Sequence, residues 1–191
     1  MILNKFKKMR LKKIDDEKFP LALIVKFQSE NPEYSDNDIL KITEGLKDYF
    51  RLCLLNEGKT IEMPSRCVDD LWHQFILFTK DYHIYTKNIF DKYLHHFPYV
   101  SSINATNEIE NAYRMHETYI YAKQLDEILG RKDSMPALFT IDEELNIEKR
   151  IKYDFDKMKH LAEHYKSKNK NKGSRNSKNA SSSESWSTYS G

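Results

Sequence analysis

The chain has 191 residues, with 31 Lys or Arg against 29 Asp or Glu, a formal net charge of +2 and a mean hydropathy of −0.75. No apolar run approaches the roughly 18 residues of a membrane span, and only five glycines and five prolines argue against a turn-rich β protein. Residues 166–191 hold six Lys or Arg and one Glu, leaving 25 basic and 28 acidic residues before them, so the body lacks the basic excess of a nucleic-acid-binding domain.

The first 14 residues, MILNKFKKMRLKKI, interleave cationic and apolar residues, with six Lys or Arg before the first acid at Asp15. They read as a basic arm able to touch anionic lipid or nucleic acid, or as a solvated first helix. They lack the apolar core and cleavage site of a secretory signal, so a cytoplasmic location is expected. Leu21, Leu23, Ile24, Val25 and Phe27 predict a buried helix within residues 17–30, stopped by Asn31-Pro32. Ser35 is a good N-cap with Asp38 near a capping-box position. Ile39, Ile42, Leu46, Tyr49, Phe50, Cys53 and Leu54 then recur at helical intervals until Gly58 ends the segment.

Ser65 is the next N-cap. The helix after it places Val68, Leu71, Trp72, Phe75, Phe78, Thr79 and Tyr82 on one side and continues in register through Tyr85, Ile89, Phe90 and Tyr93, with room for a bend near Lys80. Pro98 breaks it. A further helix over about 106–129 closes at Gly130, Met135-Pro136 opens the short segment ALFTIDEEL, and a last helix covers roughly 147–165, where Ile151, Tyr153 and Phe155 also fit a brief strand. Residues 166–191, rich in Lys, Asn and Ser, bury too little apolar surface to fold and read as a disordered tail; Trp186 and Tyr189 near its end read as a short docking motif or as a chance placement. The predicted architecture is an all-α, single-domain bundle of five or six helices over residues 15–165, between the arm and the tail.

Four of the seven histidines fall between Met63 and Phe97. Asp69 and Asp70 lie four and three residues before His73, the spacings that place two side chains on one helix face. At 100° per residue, His73 points about 170° away from the apolar stripe, so the core does not need it. His83 is about 15 Å further along a straight helix, and the adjacent His95 and His96 join a site with His73 only if the chain folds back. Otherwise these histidines pair with acids, pack among tyrosines or cap a helix end. His116 sits in the tyrosine-rich run YRMHETY and reads as a packed or surface residue.

No nucleophile elbow and no Gly-rich phosphate loop are present. Cys53 and Cys67 read as reduced, buried thiols, and the acids beside Cys67 raise its pKa.

Two stretches, MPSRCVDDLWHQFILFTKDYHIYTKNIFDKYLHHFP and MPALFTIDEELNI, resemble the bacterial glycine-rich domain-containing proteins, related to plant glycine-rich domain proteins with a similar Asp-x-x-Trp-His core. The matching positions are Asp69 or Asp70, Trp72, His73, Tyr82, His95, His96 and Pro98. The resemblance implies no defined activity. Its members usually end in a glycine- and cysteine-rich tail, which this chain lacks, and plant relatives are linked to stress responses.

Three functions are therefore expected to compete. The first is a non-enzymatic helical module that binds a protein partner through Asp69, Asp70, Trp72 and His73. The second is a protein that binds a divalent transition metal, or an enzyme that depends on one, using Asp69, His73, His83, His95 and His96. The third is weak nucleic-acid binding through the basic termini.

Overall fold

The structure, a computed structural model, describes residues 5–96, 105–131, 135–148 and 150–180, with the backbone alone at 105–107 and 170–180. The expectations at Pro98, Trp186 and Tyr189 lie outside these residues. Among the described residues there are eight helices and no strand: α1 (Lys5–Asp16), α2 (Leu21–Glu30), α3 (Asp36–Leu55), α4 (Arg66–Leu77), α5 (Thr79–Phe90), α6 (Ala105–Leu129), α7 (Ala137–Glu144) and α8 (Phe155–Ala180). No described helix is long and apolar enough to cross a membrane.

The all-α expectation is correct, but eight helices stand where five or six were expected. One addition lies in the basic arm, where α1 docks through fully buried Ile14 and through Lys7, which donates to the Leu55 carbonyl at 2.9 Å. The second comes from a break. Phe78 adopts φ −80° and ψ 59°, so it ends α4 and starts α5, and the segment expected to continue in register with room for a bend near Lys80 is two helices. The third is α7, inside the segment that Met135-Pro136 opens. At the other end, α8 begins only at Phe155, and residues 151–154 are irregular, not a strand. Its helical backbone runs on to Ala180, so 166–180 are helical and 181–191 are outside the described residues.

Local chemistry explains the ends. Ser35 and Asp38 form a reciprocal capping box at α3, with Asp38 N–H donating to Ser35 Oγ at 3.2 Å and Ser35 N–H to Asp38 Oδ2 at 3.0 Å. Gly58 and Gly130, after α3 and α6, take φ +82° and +74°, which a side chain would strain.

The chain forms two compact units: Met1–Ser101 with Glu117–Tyr153, and Ser102–His116 with Asp154–Gly191. In the first, α3 is central and packs against α1, α4 and α7. Leu46, Phe50, Val68, Leu71 and Phe75 have no exposure, so the α3–α4 contact is the core of this unit. Beside it, the buried Arg51 guanidinium bonds Asp48 at 2.5 Å, Asp15 at 2.6 Å and Glu44 at 2.7 Å, tying α1 to α3. In the second unit the Tyr113 and Tyr165 rings stack 4.6 Å apart.

Gly45 lets α4 approach α3: a Cβ there would sit 2.8 Å from Val68 Cγ2, and Val68 is fully buried. Gly45→Ala is expected to lose about 1–2 kcal/mol in urea unfolding, because overpacking outweighs the gain in helix propensity.

Candidate metal centre

The candidate site is held by the anchoring of α4. Ser65 caps it, its Oγ accepting from Val68 N–H at 3.3 Å. Asp142, reaching over from α7, accepts from Ser65 Oγ and Arg66 N–H at 2.7 Å each, and from Cys67 N–H at 3.2 Å and Cys67 Sγ at 3.1 Å. A carboxylate at a helix N-terminus satisfies donors that have no partner within the helix and suits the dipole. One turn further along, Asp69 and His73 share a face, and Trp72 faces inward at 3% exposure.

The second half of the site arrives from beyond α5. Asp91 closes α5 in the left-handed region, φ 58°, and the chain turns back toward α4. Trp72 Nε1–H donates to the Tyr82 hydroxyl at 3.0 Å, and that hydroxyl donates to the Leu94 carbonyl at 2.6 Å. Two residues on, the His96 ring lies 4.3 Å from Trp72 and 4.4 Å from His73. Asp69 sits between the two imidazoles, with Oδ1 3.0 Å from His96 Nε2 and Oδ2 3.7 Å from His73 Nδ1.

The ligating atoms of Asp69, His73 and His96 all lie within 4.8 Å of one another. The side chains of His96, Asp69 and His73 are 12%, 30% and 51% exposed, so the cluster is lined by core on the His96 side and opens to solvent past His73. Donors around a zinc-like ion lie about 3–3.4 Å apart, given metal–ligand bonds of about 2.0–2.2 Å. The Asp69–His96 pair already has that spacing. The exposed His73 ring would close the remaining gap by up to about 1.5 Å.

Two imidazoles and one carboxylate form a nitrogen–oxygen set that suits zinc, iron, cobalt or manganese better than hard calcium or thiophilic copper(I). Three protein donors leave at least one coordination position for water or another oxygen ligand.

The other sequence candidates lie elsewhere. His83 and His95 pack against Tyr93, with ring centroids 6.3 and 5.0 Å away, and are not part of the three-residue cluster. Asp70 is exposed on α4, its carboxyl pushed up by partial desolvation and then by neighbouring Asp69, against Arg66 and His73. Sequence reasoning missed Asp142 as an anchor. Its signal was an acid at a helical position beside Leu138 and Ile141.

The surroundings of both cysteines favour the neutral thiol. Burial pushes the Cys53 thiol up to about 12, and burial followed by Asp142 pushes Cys67 higher. Both thiols are therefore expected to resist iodoacetamide at neutral pH in the folded protein and to react once it is unfolded, which mass spectrometry reads directly.

A family model described as UCP032817-like matches residues 9–175. No curated protein and no solved structure matches the chain. The match overturns the expected resemblance to glycine-rich domain-containing proteins, which rested on the stretches MPSRCVDDLWHQFILFTKDYHIYTKNIFDKYLHHFP and MPALFTIDEELNI.

Proposed function

The chain belongs to the UCP032817-like family, and from the geometry of the site we propose that it binds one divalent transition-metal ion through Asp69, His73 and His96. The observation that carries this reading is the meeting of two imidazoles from distant parts of the chain on one carboxylate, with ligating atoms within 4.8 Å. A surface used only to contact a protein does not require His96 to fold back against Asp69. The ion would join α4 to the segment after α5 and present its open side to solvent past His73. What reaches that side is water or an oxygen-donor ligand, which makes the site one at which a metal-bound water can be activated.

Chelator-stripped protein titrated with cobalt(II), zinc(II) or manganese(II) should take up one equivalent per chain. His73→Ala and His96→Ala should each weaken uptake at least 100-fold, whereas His83→Ala and His95→Ala should not. Uptake should also fall on acidification, since imidazole must be neutral to ligate. Wild-type protein that takes up no ion, or a His96→Ala variant that binds like wild type, would sink the reading.

A further inference from the structure

The geometry points to Tyr82 as the residue that positions His96 for the ion, an inference that rests on the metal reading above. Its hydroxyl uses both of its roles on the two structures that flank His96. It accepts the Trp72 indole N–H at 3.0 Å, fixing the ring on which the His96 imidazole packs at 4.3 Å. It donates to the Leu94 carbonyl at 2.6 Å, fixing the backbone two residues before His96. The Tyr82 ring is itself held, edge-on to Phe75 at 5.1 Å and to Tyr93 at 5.2 Å, and it has no exposure.

The 92–96 segment is tied to the core by this hydrogen bond at Leu94. The segment follows a left-handed Asp91 and has no helical hydrogen bonds of its own, so the phenol supplies the register that the backbone does not. An ion gains from this arrangement because a ligand held in place before binding loses less freedom when it binds. Tyr82 is not one of the three candidate ligands. It acts through Trp72 and Leu94.

The test is Tyr82→Phe, which keeps the packed ring and removes the hydroxyl. Tyr153→Phe is the matched control: it deletes a phenol that donates to the Pro64 carbonyl at the same 2.6 Å, just before the N-terminus of α4. Cobalt(II) affinity is measured by competition with a chromophoric chelator, and metal-free stability by urea unfolding. Tyr82→Phe should bind cobalt about 10- to 100-fold more weakly, with altered visible absorption bands of the bound ion. Tyr153→Phe should lose comparable stability, weaken binding by no more than about 3-fold through the start of α4, and keep the wild-type bands.

If Tyr82→Phe binds like wild type, or if both variants lose affinity equally, the positioning role is overturned while metal binding stands. If wild-type protein takes up no cobalt, both readings fail together.

Discussion

Trp72→Ala is expected to destabilise the protein by about 3–5 kcal/mol and to remove metal uptake in the same variant. The stability loss follows from what the indole fills. It lies 4.8 Å from the Tyr49 ring and 6.0 Å, edge-on, from Phe50, at 3% exposure, so truncation opens a cavity in the α3–α4 core that surrounding rings cannot close. It also strands the Tyr82 hydroxyl without its donor. The loss of uptake follows because the indole face supports His96.

Trp72→Phe separates the two effects. It refills much of the volume and should recover more than half of the stability, yet it lacks the N–H that holds Tyr82, so affinity should recover less. Urea unfolding followed by circular dichroism gives the first quantity and chelator competition the second. If Trp72→Phe regains full affinity, the indole acts only by filling space.

Asp142→Ala is the second large effect, expected at about 2–4 kcal/mol. Removing the carboxylate leaves the Ser65 hydroxyl and the Arg66 and Cys67 amides without their acceptor at a buried helix start, and cuts the link from α7 to α4. Asp142→Asn keeps one acceptor oxygen and should cost about half as much. Because Asp69 lies one turn from this end, fraying of α4 should also weaken metal binding, though less than His96→Ala does. An Asp142→Ala variant within about 0.5 kcal/mol of wild type would show that water replaces the carboxylate at no cost.

The sequence made the helices legible wherever one rule dominated. The three- and four-residue spacing from Ile39 to Leu54, the Ser35 and Ser65 caps, and the glycines at 58 and 130 each reflect a local constraint, and each appears where expected. The break at Phe78 was legible only as room for a bend near Lys80, because Phe78 and Thr79 continue the apolar register and the packing of Tyr82 and Tyr85 against Phe75 accompanies the kink. The docking of α1 was hidden because its cations find carbonyl and carboxylate partners on other elements, such as Lys13 on the Asn88 carbonyl at 3.2 Å.

The candidate site was half legible for the same reason. Asp69 and His73 are a local pair, readable from their spacing. His96 joins them through a reversal fixed by a left-handed aspartate and a phenol–carbonyl hydrogen bond, and no spacing rule encodes either. Choosing His96 over His83 and His95 therefore required the folded chain. The α2 stretch shows the converse error: its apolar density suggested a buried helix, but Leu21 and Val25 are 77% and 57% exposed, with Leu23 and Phe27 alone buried on it.

The most direct measurement is anomalous X-ray scattering from crystals grown with zinc or cobalt. One peak should lie within about 2.0–2.2 Å of an Asp69 carboxylate oxygen, a His73 ring nitrogen and His96 Nε2, with water or solvent oxygen completing the sphere. A peak at His83 or His95 instead, or no peak while the Asp69–His96 hydrogen bond persists, would contradict the three-residue metal centre.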